Sequence, residues 1–216
     1  MLIFPSFSML PEMYFTPTSQ RPYPIKIGNK TIYRSAFWQT GNNRKLGLLV
    51  PNCSLPLETC DCQGLACRAC YARRLHALRP TMRYHAITNY LACIHTPEVV
   101  ISESKLFLAN APYARFNVSG EITPAIVPVY NAIAKACQPT RFLLYTKSVF
   151  ADDLTADNII IKKSAGINYA KDLAKVHAMA ESVGGYVCAQ TAPHLCGSLC
   201  RVCWETGKRP VFFLQH

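Results

Sequence analysis

The sequence predicts an α/β protein with a mainly parallel β-sheet, and three observations support this fold class. In the second half of the chain, short apolar runs alternate with segments of helical period, which is typical of βαβ units. Half of the 216 residues are hydrophobic and only 16% are charged, so the chain has enough apolar material for a packed core. No run of about 18 apolar residues occurs, which excludes a transmembrane helix. We therefore expect no membrane partner.

The N-terminal part of the chain is expected to support this core. Residues 1–30 are rich in proline and aromatic residues without a clear period, which predicts an extended arm packed on the core. The apolar run 46–50 predicts a buried strand that ends at Pro51. We therefore expect one domain over 1–216, with its α/β core over 46–216.

The core elements are predicted from apolar period and from end signals. Thr123 is a suitable N-cap and Pro124 suits the first helical position, so a helix is predicted to begin there and to run to about Cys137. The other signals predict, in chain order, helices over 66–78 and 82–95, strands over 113–118, 141–146 and 155–161, a helix from 168 or 169 to 182, and strands over 185–190 and 210–214. Ligand sites in parallel sheets lie at the carboxyl ends of strands, and we expect the cysteine-rich loops to lie there.

The 11 cysteines carry the most chemical information. A fully paired disulfide set would leave one thiol over, and the chain is longer than the small secreted domains that depend on disulfides. The first residues lack the basic segment of a secretory signal. We therefore expect reduced thiols and a cytoplasmic location, in the host cell if a phage or plasmid encodes the protein.

Seven of the cysteines form two clusters whose spacing is typical of metal ligands. A C-x2-C pair offers two thiolates from one turn, and two such pairs in one chain are strong evidence for coordination. The first cluster comprises Cys60, Cys67 and Cys70, and the second comprises Cys188, Cys196, Cys200 and Cys203. Cys93 and Cys137 lie in helical patterns and are expected in the core, whereas Cys53 and Cys62 have no assigned role.

These thiolate sets fit two kinds of metal centre. They would hold one or two [4Fe–4S] clusters, or a structural zinc ion on the second set. Cys196, Cys200 and Cys203 have the C-x3-C-x2-C spacing of radical S-adenosylmethionine enzymes, although in those enzymes the motif lies near the N-terminus. The spacing from Cys60 is C-x6-C-x2-C.

The net charge of +11 admits an anionic partner such as a nucleic acid as one interpretation. The alternative is an ordinary solvated surface. Seven thiolates with two clusters would reduce the net charge to roughly +8, so part of the basicity offsets the metal sites.

The order of several short segments resembles the phage and plasmid gene product 88 family. The segments are 54–56, 59–60, 67–72, 89, 115–121, 142–148, 196–204, 211–213 and 216. The resemblance implies a distant similarity to radical S-adenosylmethionine barrels and cysteines suited to iron–sulfur clusters. Since an eight-stranded barrel needs at least about 200 residues for itself, a partial, open β/α barrel is expected.

The same resemblance gives Ser119, Gly120 and Glu121 a role in cofactor binding. In radical S-adenosylmethionine proteins, a similar turn after the second strand approaches the amino group of the cofactor, and Glu121 would accept this ammonium. The alternative is a turn with Gly120 at positive φ and an exposed Glu121.

The leading hypothesis is an iron–sulfur protein, either a redox enzyme similar to radical S-adenosylmethionine enzymes or an electron-transfer protein with its own electron donor. The alternative is a zinc-binding, non-enzymatic protein of a mobile element that binds nucleic acid, with aromatic residues that stack on bases. A third hypothesis is a thiol–disulfide oxidoreductase that uses Cys67 and Cys70. The sequence identifies no catalytic residue.

Overall fold

The computed structural model describes residues 6–40, 49–60, 70–163, 173–188, 202–205 and 211–213. Its strands and α-helices are β1 (Tyr23–Ile27), β2 (Lys30–Arg34), α1 (Tyr71–Leu78), α2 (Pro80–His95), α3 (Pro97–Phe107), β3 (Tyr113–Phe116), α4 (Val127–Ala136), β4 (Arg141–Thr146), β5 (Ile159–Lys163), α5 (Leu173–Ser182), β6 (Tyr186–Cys188), α6 (Val202–Glu205) and β7 (Val211–Phe213). This mixture of helices and parallel strands confirms the α/β class.

The central sheet contains three parallel strands in the order β3-β4-β5. Phe142 of β4 lies opposite Ala114 on one side and Ile159 on the other. The connection from β3 to β4 runs through α4, which is the predicted βαβ arrangement. Strands β6 and β7 form a separate parallel pair, and the strands in the described ranges do not close into a barrel.

The backbone after Val50 extends the sheet on the outer side of β3. Asn52 forms a parallel bridge to Arg115. The Cys53 amide donates to the Arg115 carbonyl at 3.2 Å, and the Val118 amide donates to the Cys53 carbonyl at 2.9 Å. The predicted end of the strand at Pro51 is therefore wrong, because pairing continues past this proline. Residues 46–48 of the predicted strand lie outside the described residues.

The main core fills one face of the central sheet. The ring of Phe116 stacks on Tyr130 of α4 at a centroid distance of 4.0 Å and on Phe142 at 4.7 Å. Trp38 packs against the same two phenylalanine rings. Offset aromatic packing of this kind adds to the free energy of burial and holds β3 and β4 in place relative to α4.

The N-terminal region contains a hairpin that the sequence did not predict. Ile25 of β1 lies opposite Ile32 of β2, and both are fully buried. Arg34 at the end of β2 forms a buried ion pair with Glu103 of α3 at 2.6 Å. Glu103 also accepts the Phe37 amide at 2.6 Å. Charge-assisted hydrogen bonds therefore fasten the hairpin to α3.

As the sequence predicts, α1 ends before Pro80 and α2 ends before Pro97, and each of these prolines also begins the next helix. Pro80 and Pro97 lie in the first turns of α2 and α3. The predicted start of the next helix at Pro124 is wrong, since α4 begins at Val127 with Pro128 in its first turn. A proline fits there because the first helical amides have no partner within the helix. None of the helices described is long and apolar enough to span a membrane.

Candidate functional site

The backbone after β3 turns sharply at Ser119, Gly120 and Glu121. Gly120 has a φ of 77°, which lies in the left-handed region. A Cβ at this position would lie 2.4 Å from the carbonyl oxygen of Leu55. The Leu55 amide donates to the Ser119 carbonyl at 2.9 Å. Glycine is required here by the backbone angle and by the close approach of the chain.

Glu121 is held by the end of the neighbouring strand. Its Oε2 accepts the Thr146 hydroxyl at 2.5 Å, and its Oε1 accepts the Lys147 amide at 3.1 Å. Burial raises the pKa of Glu121 above its ordinary value, and the hydrogen bonds from Thr146 and Lys147 oppose this shift. The interpretation of Glu121 as an exposed turn residue is wrong, because the carboxylate is half-buried and oriented by two donors.

Residues on either side of the first cysteine cluster contact this turn and the residue before it. Thr59, just before Cys60, accepts the Glu121 amide at 2.9 Å. Tyr71, just after Cys70, donates its hydroxyl to the Val118 carbonyl at 2.6 Å. The two attachment points are therefore three residues apart on the backbone that follows β3. Cys67 and Cys62 lie outside the described residues.

The two described thiols of this cluster differ in environment from the core thiols. Cys60 and Cys70 are partly exposed, whereas Cys93 and Cys137 are buried, as the sequence predicts for the latter two. Cys70 occupies the N-cap of α1.

Cys53 belongs with the core thiols. It is buried, and its Sγ lies 3.8 Å from the Tyr130 hydroxyl. Burial raises the pKa of Cys53 to about 12, so this residue is a neutral thiol at physiological pH.

Of the second cysteine cluster, Cys203 lies against the opposite face of the central sheet, where it packs with Leu143 and Ile160. Cys203 of α6 is buried and accepts the Tyr186 hydroxyl at 3.0 Å, two residues before Cys188 at the end of β6. The neighbouring Trp204 is buried, and its carbonyl accepts a hydrogen bond from Arg141 of β4 at 2.6 Å. Cys196 and Cys200 lie outside the described residues.

Positive charges lie on the sheet face that carries Cys203. The guanidinium of Arg115 lies 4.9 Å from the ring centroid of Tyr145. The Lys162 ammonium is fully buried and lies 5.4 Å from the ring centroid of Tyr186. Burial and the nearby Cys203 raise the pKa of Tyr145 well above its ordinary value. This face can therefore balance negative charge on a thiolate.

Four of the seven predicted ligands fall within the described ranges, at Cys60, Cys70, Cys188 and Cys203. No group of three or more His, Cys, Asp or Glu side chains that could hold a metal occurs among the described residues. The metal sites therefore stay a prediction.

Sequence reasoning missed two polar residues beside the turn. His76 of α1 is buried, and its Nε2 lies 3.2 Å from the Ser119 Oγ. Burial lowers the pKa of His76 below its ordinary value. Asn117 has a φ of 51° and accepts the Tyr130 hydroxyl at 2.6 Å. Asparagine tolerates left-handed backbone angles, so its residue type was the sequence signal for the turn at Asn117. No sequence pattern distinguishes His76.

A comparison of the sequence with models of known protein families identifies the family of this chain. A family model described as gene product 88 matches residues 26–189. The chain belongs to the gene product 88 family. The match includes the first cysteine cluster, the turn at 119–121 and Cys188. No curated protein and no solved structure matches this gene product 88 chain.

Proposed function

We propose that this protein binds a [4Fe–4S] cluster through Cys60, Cys67 and Cys70 at the carboxyl end of β3. The observation that best supports this proposal is that Thr59 and Tyr71, on either side of the cluster segment, contact Glu121 and Val118, which are three residues apart. These contacts support a shared site for Cys60 and Cys70, as three thiolates on one cluster require.

The donor chemistry supports this assignment. Cys60 and Cys70 are partly exposed, so a cluster could reach them. Three thiolates leave one iron without a protein ligand. If Cys62 joins them, the loop also offers the four thiolates of a tetrahedral zinc site. Metal analysis separates these two outcomes.

The turn at Ser119, Gly120 and Glu121 supports S-adenosylmethionine as a further ligand. The Glu121 amide contacts Thr59, which directly precedes Cys60, and each carboxylate oxygen of Glu121 accepts one hydrogen bond and can accept another. We propose that it would accept the ammonium of this cofactor. When bound to a reduced cluster, the cofactor supplies reductive bond cleavage, which needs an external electron donor. This chemistry requires reduced thiols, so we also propose a cytoplasmic location.

The second cysteine set is proposed to hold a second cluster through Cys188, Cys196, Cys200 and Cys203. The contact of Tyr186 with Cys203 supports this, because it brings α6 next to β6. Lys162 of β5 contacts the ring of Tyr186 in β6, which supports a sheet that continues beyond β5. On this basis we propose the partial, open β/α barrel.

Replacement of one ligand tests the first cluster. In Cys70→Ser protein purified without oxygen, we expect loss of the iron assigned to this cluster, with the fold retained by circular dichroism. The matched control is Cys137→Ser, which changes a buried thiol at the C-cap of α4 and should keep the full iron content. Equal iron in the two variants would contradict the ligand assignment.

A second candidate function is zinc-dependent binding of nucleic acid without catalysis. The exposed surface of α1 supports this function. Arg74 and Arg79 lie there beside Tyr71 and Leu78, whose side chains are more than half exposed. Such a surface can pair with phosphates and stack on bases. This function predicts that the affinity for nucleic acid falls steeply as the salt concentration rises. In Arg74→Ala, the slope of log binding constant against log salt concentration should be smaller by about 1. Binding that is absent or independent of salt would contradict it.

A further inference from the structure

A second polar site lies beside the turn, in a cavity of about 230 Å³ between the short helix Leu57–Thr59 and α1. The cavity is lined by Leu57, Glu58, Arg73, His76, Ala77 and Arg83. None of these residues is a proposed cluster ligand, so the site can be considered independently of the metal.

The hydrogen bonds of Ser119 favour one tautomer of His76. The Ser119 hydroxyl donates to the Leu55 carbonyl at 3.1 Å. With its single proton used there, the 3.2 Å contact with His76 Nε2 fits the tautomer that carries the proton on Nε2. Nδ1 then carries a lone pair, on a side chain that is only 5% exposed. No donor in the described part of the chain reaches this Nδ1.

Glu58 contributes a second acceptor of the same kind. Its Oε1 accepts a hydrogen bond from Arg83 at 2.8 Å. Its Oε2 is buried, and no donor among the described residues reaches it. The two residues that carry these buried acceptors line the same cavity as Arg73 and Arg83. A buried acceptor without a donor costs about 1–3 kcal/mol, so a ligand with N–H groups would be favoured here.

We infer that this cavity binds a free α-amino acid in its zwitterionic form. The ammonium would donate to His76 Nδ1 and Glu58 Oε2. The carboxylate would pair with the guanidinium of Arg73 or Arg83, whose planar donor groups match a carboxylate. A metal cation fits less well, because two guanidinium groups line the cavity and it would bring no anion to offset them.

The ligand comparison on the wild-type protein tests this inference. Calorimetric titration with L-alanine should show saturable binding. Ethylamine lacks the carboxylate and propionate lacks the ammonium, so each should bind roughly tenfold more weakly or worse. Absence of L-alanine binding, or equal binding of the three compounds, would overturn the inference.

Two variants locate the binding to this cavity. Glu58→Gln and Arg73→Gln should each weaken L-alanine binding by roughly tenfold, because each removes one charged partner. The matched controls are Glu98→Gln and Arg79→Gln, which change exposed residues outside the cavity and should leave binding unchanged. Undiminished binding in both cavity variants would place the amino acid elsewhere. Iron content should be the same in all four variants, so this result is separable from that of the cluster.

Discussion

The Thr59 hydroxyl accepts the amide proton of Glu121 at 2.9 Å and donates its own proton to the Pro56 carbonyl at 2.7 Å. This one side chain joins the start of the first cysteine loop to the turn after β3. The positions of Cys60 and Glu121 are therefore linked through a single buried hydroxyl.

Replacement of this hydroxyl should loosen the link. Thr59→Val keeps the shape of the side chain but leaves the Glu121 amide without an acceptor, which should lower the free energy of unfolding by about 1–3 kcal/mol. Urea unfolding measures the loss. Thr81→Val, at an exposed position in the first turn of α2, serves as the control and should be nearly neutral. An equal loss in the two variants would show that the hydroxyl has no special role.

The turn itself should tolerate no side chain at Gly120. Gly120→Ala combines a left-handed backbone angle with a Cβ 2.4 Å from the Leu55 carbonyl oxygen, and we expect a loss of about 2–5 kcal/mol. Gly28 has a φ of 58°, but a Cβ there would meet no described atom within 4 Å. Gly28→Ala should therefore cost only about 1–2 kcal/mol. Denaturation of the two variants under the same conditions tests the difference, and equal costs would refute the close approach at Leu55.

Acid should destabilise the fold through His85. Its Nδ1 contacts the Ser35 hydroxyl at 2.8 Å, and the side-chain amide of Asn89 lies 3.3 Å from its Nε2. Burial and the charge of Arg34 lower the pKa of His85 to about 4. Between this pKa and the ordinary value near 6.5, the unfolded chain binds a proton that the folded protein does not bind. Stability should therefore fall as the pH decreases through this range, by up to about 3 kcal/mol.

Unfolding free energies of three proteins between pH 4 and pH 7.5 measure this contribution. His85→Gln should show a smaller dependence on pH than the wild type. The exposed His95→Gln should keep the wild-type dependence. Parallel curves for wild type and His85→Gln would contradict the lowered pKa of this histidine.

The number of metal centres can be counted with one variant in each cysteine cluster. If the two clusters bind separate centres, Cys67→Ser and Cys200→Ser should each remove about half of the iron. Iron analysis of the anaerobically purified variants gives the count. Loss of all iron in either variant would show that the cysteines share one centre or that the fold depends on both sets.

Local sequence signals predicted β3 and β4 well, whereas the strand predicted over 155–161 begins later, as β5 at Ile159, and runs to Lys163. The apolar run after Pro139 predicts a strand over 141–146, and β4 has these bounds. The alternation of β3, α4 and β4 was predicted because each element carries its own period and end signal. The predicted start of α4 was wrong because Thr123 and Pro124 have the residue types of a helix start, whereas the helix begins at Val127 with Pro128 in its first turn.

Elements and site residues that depend on distant partners were not predictable in this way. The hairpin of β1 and β2 is too short to show a period, and the burial of Ile25 and Ile32 follows from packing on α2. His76 and Glu58 carry no local pattern, because their roles follow from contacts with Ser119 and Arg83. The cysteine clusters were visible from spacing alone, but the attachment of the first loop to the turn at 119–121 required the structure.

Iron and acid-labile sulfide analysis of the wild-type protein, purified without oxygen, tests the proposed iron–sulfur centre most directly. We expect a coloured protein with broad visible absorbance, about four iron and four sulfide per cluster, and a paramagnetic resonance signal after reduction. A colourless protein with stoichiometric zinc and without sulfide would contradict it.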